Sequence, residues 1–225
     1  MILGIDTSLG TAVAVVEPDG VVRSQAESVD PRGHAEVIGS LVERALAEAS
    51  AHPSDITYVA AGMGPGPFTG LRVGIAAARA FALGRGVPVV PVVSHDAAAL
   101  ELLLHSALTG GRDDSDDDAF AIVTDARRRE FAYTVYQGLD DDGLPVRIGG
   151  PALSPRDEID AVLAAGSILR RDTDRIGAAM LALAAARAVD AGRTIGPADA
   201  LYLRSPDVTL SAGPKRVTTP AGGAA

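Results

Sequence analysis

Thirteen residues, Gly62-Met63-Gly64-Pro65-Gly66-Pro67-Phe68-Thr69-Gly70-Leu71-Arg72-Val73-Gly74, constrain this chain more than any other stretch. They follow an apolar run, Ile56 to Ala61, and precede a long alanine-rich helical segment. Alternating glycine and proline force backbone turns that a Cβ would forbid. A strand, a glycine-rich turn and a helix start present free N–H groups and the positive end of a helix dipole. Such a loop can hold a phosphate or carboxylate, or dock a partner chain tightly. It lacks the Lys-[Ser/Thr] ending of a Walker phosphate loop and has no basic residue before Arg72, so a rigid interface or structural turn is the stronger reading.

The flanking pattern sets the fold class. Met1 to Asp6 is an apolar run that predicts a buried strand, Thr7 to Gly10 a turn, and Thr11 to Glu17 a second strand. Pro18-Asp19-Gly20 is a tight turn and Val21 to Glu27 a third strand. Asp30-Pro31 offers an N-cap followed by proline at the first helical position. Val37, Ile38, Leu41, Val42, Ala45, Leu46 and Ala49 then form one helical face up to about Ser50. After the strand at 56–61, Thr69 predicts a helix cap and Gly84 its stop. Val87 to Val93 is a strand, and Ser94 predicts the cap of a helix to about Ala107. The opening 1–108 thus reads βββαβαβα.

Thr109 to Asp118, with its acidic run from Asp113, reads as a solvated linker rather than a cation site. The pattern then restarts with strands at Ala119 to Asp125 and Glu130 to Gln137 and a hairpin turn at Asp140 to Gly143. Ser154-Pro155-Arg156-Asp157 predicts a helix opening. Gly166 to Asp174 carries no convincing strand–loop–helix unit, and Arg175 to Asp190 is one more helix. The repeat, with Ile5-Asp6-Thr7 echoed by Thr124-Asp125-Ala126, predicts two related lobes, 1–108 and an abbreviated 109–205, followed by a flexible tail at 206–225.

Composition narrows the function. Hydrophobic residues make up 47% but aromatics only 4%, so the core must be Ala, Val, Leu and Ile, with close helix packing. A net charge of −9 argues against the chain gripping nucleic acid alone. The absence of cysteine excludes disulfides, thiolate metal sites and cysteine nucleophiles. The opening passes straight into a strand, with no signal-like segment, and no apolar run can span a bilayer; a cytoplasmic protein is expected.

Candidate chemistry is sparse. Asp6, Thr7 and Ser8 at a strand end could orient Mg²⁺ and meet phosphate in a fold that clamps nucleotide, or be turn residues bonded to their own backbone. Asp125, in the Asp125 to Tyr133 hairpin with its three arginines, is the matching position. That hairpin reads as a solvated tip or as an interlobe or partner-facing patch. The histidines His34, His52, His95 and His105 form no metal-binding pair, and no serine nucleophile motif occurs.

Taken in order, Ile2-Leu3-Gly4-Ile5-Asp6-Thr7-Ser8, Gly64 to Gly74, Asp125-Ala126-Arg127 with Tyr133, and Leu201-Tyr202-Leu203-Arg204 resemble the bacterial TsaB (YeaZ) family over nearly the whole chain. The resemblance implies an α/β fold of the actin-like ATPase, sugar-kinase and Hsp70 superfamily. It also implies no catalytic residue, no metal and no tightly held cofactor in this chain, with ATP or ADP and Mg possible at the partner complex. The implied partners are the paralogous transferase TsaD and the ATPase TsaE, with tRNA reached only through the complex and a homodimer when alone. The implied contact surface is the first-lobe helices: His34, Ile38, Leu41 and Val42, then Pro65, Phe68, Thr69, Arg72, Gly74, Ala77, Ala78 and Phe81. The paralogue's two-histidine metal motif falls here on His95 and Ala99. Pro67 stands where serine is more usual, and Arg128 and Arg129 make the second-lobe hairpin unusually basic. A small actin-like metabolite kinase or ATPase is the competing reading, and a metallopeptidase a third that lacks its histidine pair.

Overall fold

The computed structural model describes residues 1–30, 33–109 and 118–204. The acidic linker at 110–117, Pro31 of the expected helix cap and the tail from 205 lie outside them. Two sheets are built by the same rule. In the first, β1 (Ile2–Asp6), β2 (Thr11–Val16), β3 (Val22–Ser28), β4 (Tyr58–Gly62) and β5 (Val89–Val92) take the order β3-β2-β1-β4-β5. In the second, β6 (Phe120–Asp125), β7 (Glu130–Leu139), β8 (Pro145–Pro155) and β9 (Leu169–Asp172) take the order β8-β7-β6-β9. Each begins with an antiparallel meander and adds its fourth strand parallel to its first. Among the described residues the second has no fifth strand, so the repeat is present and abbreviated, in an actin-like α/β fold.

β1 up to Ile5 and β2 from Ala12 are apolar because both faces of the first sheet are covered. Leu3, Ile5, Val13 and Val15 point toward α1 (His34–Glu48) and α2 (Phe68–Arg85), meeting Ile38, Leu41, Leu71 and Ile75. Ile2, Ala14 and Val16 point the other way, toward α3 (Ser94–Thr109) and α5 (Ala178–Asp190). There α5 presses onto β1: a Cβ on Gly4 would overlap the carbonyl of Ala178 and come within 3.2 Å of Ala182 Cβ. With few aromatics, small side chains on both elements let the helix sit this close. α3 lies between α5 and the second sheet, touching Phe120, Ile122 and Tyr136. The seven-residue α4 (Ile159–Ala165) covers the opposite face through Ile159 and Leu163.

Several element ends differ from expectation. α1 starts at His34 with Gly33 at the cap position, not at Asp30. Pro53–Asp55 forms a 3₁₀ turn, which delays β4 to Tyr58. α2 begins at Phe68, so Thr69 lies inside it, and it runs through Gly84 to Gly86. Gly86 has φ +68° and donates its N–H to Ala82 and Leu83 carbonyls, the left-handed ending that only glycine takes cheaply. β8 extends through Pro155, so α4 opens later than Ser154. The 166–174 region does contain a strand, β9, which pairs in parallel with β6 from Phe120↔Leu169 to Val123↔Asp172.

Candidate functional site

The two motifs that looked separate in sequence interlock. Asp6 ends β1 with its side chain 1% exposed. Its Oδ1 accepts from Ser8 N (2.8 Å) and from Ser8 Oγ, and its Oδ2 accepts from Ser94 Oγ (2.5 Å). Ser94 Oγ in turn accepts from Gly64 N (3.0 Å), so this hydroxyl ties the glycine loop to Asp6 instead of capping its own helix. Thr7 Oγ1 donates to Gly70 O (2.7 Å). Burial pushes the Asp6 carboxyl above its ordinary value, against the bonds from Ser8 and Ser94 that favour its charge. The glycines make room for this knot. A Cβ on Gly62 would overlap the Asp6 carboxylate, and one on Gly74 would lie 2.9 Å from Thr7 Cγ2 and closer still to its Oγ1. On Gly66 it would lie 2.8 Å from Ser8 Cα. Asp6, Thr7 and Ser8 therefore face the glycine loop; both Asp6 oxygens are taken, and the carboxylate does not fit the role of an Mg²⁺ contact.

His95, on the first turn of α3, is fully buried with Nδ1 2.8 Å from Thr134 Oγ1 and Nε2 3.0 Å from Thr124 Oγ1. Both ring nitrogens are engaged by hydroxyls of the second sheet, so the ring pins α3 to β6 and β7 and does not fit a metal-ligand role. Next to it, the buried Asp96 receives Tyr136 Oη (2.8 Å) and both Nε and Nη2 of Arg147 (3.0 Å each). Among the described residues no group of three or more His, Cys, Asp or Glu could hold a metal ion.

Burial pushes the His95 imidazole down to about 3 from 6.5. The folded chain refuses a proton that the unfolded chain takes, so His95's contribution is complete above pH 6.5 and is lost as pH falls toward 3. The loss approaches about 1.4 kcal/mol per pH unit. The raised Asp6 and Asp96 carboxyls run in the opposite sense, so the wild type should be compared with His95→Gln. Urea unfolding at pH 7, 6 and 5 should show a shallower pH slope in the variant, the difference approaching about one proton toward pH 5; parallel slopes would remove the buried neutral histidine from the account.

Asp125 behaves differently from Asp6. It lines a cleft of about 340 Å³ together with residues of both lobes, among them Pro67, Phe68, Arg127 and Arg128. Its side chain is 57% exposed and paired with Arg156 Nη2 at 2.6 Å. That bond, with the Arg127 backbone N–H, holds its carboxyl below the ordinary value despite slight desolvation. The structure does not bring Asp125 into the Asp6 knot.

A second cluster went unread in the sequence. Leu201 N bonds Met63 O (2.7 Å), which lays residues 201–204 across the cleft. Tyr202 meets Phe68 ring to ring at 4.7 Å, and Arg72 stacks on Phe68 at 3.8 Å while its Nε donates to Tyr202 Oη at 3.2 Å. Arg204 then pairs with Glu130 and donates to Arg127 O (3.4 Å), reaching the second lobe. In the sequence Leu201 to Arg204 stand out only as one of the motifs of the resemblance, and nothing local tells that Tyr202 meets Phe68.

Burial sorts the expected contact residues. Gly74 and Ala78 face Thr7 and the first-sheet core, and Ala78 is 0% exposed. Ile38, Leu41 and Pro65 are buried, as is His34, whose Nδ1 lies 2.8 Å from Thr11 Oγ1. These six lie inside the folded chain, because the small residues of α2 serve its approach to β1 and Thr7. Val42, Ala77 and Phe81 are half-buried, while Phe68, Thr69 and Arg72 are exposed. The outward stripe of α2 is Thr69, Arg72, Ala76, Ala80 and Leu83, the last 84% exposed. Beside it α1 exposes Ala35, Gly39 and Ala47. No helix among the described residues is long and apolar enough to cross a membrane.

Known proteins place this architecture. An uncharacterized protein of Mycobacterium tuberculosis is 39% identical over 161 residues, 71% of this chain and 67% of that protein. A Streptococcus pneumoniae protein named tRNA N6-adenosine threonylcarbamoyltransferase is 43% identical over 107 residues, 40% of this chain but only 32% of its own length. A Pseudomonas aeruginosa crystal structure, of an uncharacterized protein with similarity to peptidase YEAZ, superposes with a TM-score of 0.70 at 25% identity. It covers 90% of this chain and 99% of that one. A second P. aeruginosa structure, YeaZ, gives 0.69 at 23% identity and shows the same fold. The profile described as TsaD: tRNA N6-adenosine threonylcarbamoyltransferase matches residues 15–144, and the chain belongs to that family as a TsaB (YeaZ)-like member.

Proposed function

We propose that the chain is a non-catalytic subunit that pairs with a paralogous threonylcarbamoyltransferase, TsaD, and supports formation of N6-threonylcarbamoyladenosine next to the anticodon of tRNA. One observation carries this reading: the polar groups that a catalytic relative would turn toward reactants are consumed inside this chain. Asp6 is closed by Ser8 and Ser94, and His95 by Thr124 and Thr134. What the first lobe turns outward includes the small residues Ala35, Gly39 and Ala47 of α1 and Ala76 and Ala80 of α2, set among charged side chains such as Glu43, Arg44 and Arg72, points at which another helix pair can approach closely. The reading places the complex in the cytoplasm, with the ATPase TsaE joining it, ATP or ADP with Mg at the complex, and self-association through the same stripe when the partner is absent.

Copurification with the candidate transferase, followed by threonylcarbamoyl transfer to an unmodified tRNA, tests it. A stable complex and transfer that requires this chain are expected. A second reading, a small actin-like kinase or ATPase, draws on the cleft beside Asp125. Metal-dependent ATP turnover by the pure chain, with no complex and no effect on transfer, would replace the first reading by the second.

A further inference from the structure

We propose that residues 193–204 are a strap that holds the two lobes in one arrangement and, through Tyr202, positions the surface of α2 that pairs with the transferase; the proposal rests on the pairing reading above. The first observation is the order of the anchors. At the start of the strap Arg193 pairs with Asp140 (2.5 Å) and Asp142 (2.7 Å), and Ile195 O accepts from Arg147 Nη2 (2.8 Å). These partners belong to the β7–β8 hairpin of the second lobe. In its middle the strap turns to the first lobe. A Cβ on Gly196 would lie 2.5 Å from Pro91 O of β5. Ala198 O accepts from Arg79 Nη2 (2.8 Å), and Leu201 N donates to Met63 O (2.7 Å). At its end Arg204 returns to the second lobe, pairing with Glu130 and donating to Arg127 O. A segment bonded to one lobe, then to the other, then to the first again cannot follow a change in lobe angle without breaking one set of bonds. α3 already joins the lobes through His95 and Asp96. The strap adds a second tie, and two ties fix an angle that one leaves free.

The second observation is what the strap does to α2. Arg72 and Arg79 are both exposed and stand two helical turns apart on its outward face, with Ala76 between them. Both are tied to the strap. Arg79 donates to Ala198 O, and Arg72 Nε donates to Tyr202 Oη (3.2 Å) while its guanidinium stacks on Phe68 at 3.8 Å. The Tyr202 ring closes the cluster against Phe68 at 4.7 Å. A loose arginine lays its long stem over neighbouring apolar surface. Held to the strap, these two leave Ala76 and Ala80 exposed. Ordering them before a partner arrives also lowers the entropy that pairing gives up. Tyr202 is where the two roles meet: it holds Arg72 and Phe68 on α2, and with Leu203 and Arg204 it lines the cleft that separates the lobes.

The test variant is Tyr202→Ala with Arg204→Ala, measured in three ways on the full chain. Urea unfolding reads its stability, and titration with the transferase reads pairing. The lobe arrangement is read in the isolated chain by double electron–electron resonance. The chain has no cysteine of its own, so spin labels go to Glu43→Cys on α1 and Ala164→Cys on α4, both exposed. The expected result is a wild-type urea midpoint, a broadened label distance and roughly 5- to 20-fold weaker pairing. Tyr202→Phe with Arg204→Lys keeps the ring on Phe68 and the charge beside Glu130, and should keep the narrow distance and pair within about 3-fold of wild type. An unchanged distance in the alanine variant would overturn the proposal, and if pairing still weakened, Tyr202 or Arg204 would be a direct partner contact. A broadened distance with wild-type pairing would overturn the positioning role, and a lowered urea midpoint would reduce the strap to a stability element. If the wild-type chain does not pair, the pairing reading fails on its own. The label distance then decides the strap alone: broadening in the alanine variant sustains it as the tie that aligns the lobes, and no change refutes it.

Discussion

Gly62→Ala is expected to cost about 3–6 kcal/mol, a large part of the about 5–15 kcal/mol that holds a domain folded. The added Cβ would overlap the Asp6 carboxylate, 2.8 Å from its Cγ and 3.0 Å from Ser94 Oγ. Neither neighbour can yield cheaply. Asp6 is fixed by bonds to Ser8 N, Ser8 Oγ and Ser94 Oγ, and Ser94 is fixed by Gly64 N. Moving the carboxylate breaks buried bonds at about 1–3 kcal/mol for each group left unpaired, on top of the overpacking itself. Urea unfolding measures the loss, and a double-mutant cycle locates it. Asp6→Ala removes the atoms that the new methyl would strike, so Asp6→Ala/Gly62→Ala should be less destabilised than the sum of the single changes. A single Gly62→Ala variant that unfolds at the wild-type urea concentration would show that the knot is not rigid.

The knot also shows where the sequence was readable. The doubled meander and the first sheet were legible because each strand's apolar run and turn residues are local signals, and β1 and β2 carry apolar residues on both faces. The glycine motif was legible as a constraint, but its object was not: that Gly62, Gly66 and Gly74 make room for Asp6, Ser8 and Thr7 depends on contacts across some sixty residues. Element ends failed where two signals compete within a turn. Gly84 and Gly86 are two residues apart, and only the left-handed φ of Gly86 decides which one ends α2. β9 has no strand-like composition; Leu169 to Asp172 is held by parallel pairing with β6 and by Arg170, which pairs with Asp160 and Asp172 at 2.7 Å each. The contact face failed for a further reason. α2 carries alanine at 76, 77, 78, 80 and 82, on all sides of the helix, so periodicity could not tell its inner face from its outer one. Only packing against β1, β4 and Thr7 does so.

That distinction fixes the last prediction. Ala76→Arg with Ala80→Arg should abolish pairing with the transferase, weakening it by at least roughly 100-fold, and with it threonylcarbamoyl transfer. Ala76 and Ala80 are exposed in the isolated chain, so its own stability should change by no more than about 0.5 kcal/mol. In a complex that buries the stripe, two guanidinium groups would have to leave water without partners, and their bulk would hold the helices apart. Ala78→Arg is the control with the opposite profile. Its Cβ faces the first-sheet core at 0% exposure, so it should unfold the chain rather than spare the fold and lose the partner. Sedimentation of the two variants with and without the transferase separates the cases. A soluble, folded Ala76→Arg/Ala80→Arg chain that still binds its partner and supports transfer would move the docking surface off α2. The exposed face of α1, with Ala35, Gly39 and Ala47, would then be the next surface to carry the same pair of arginines.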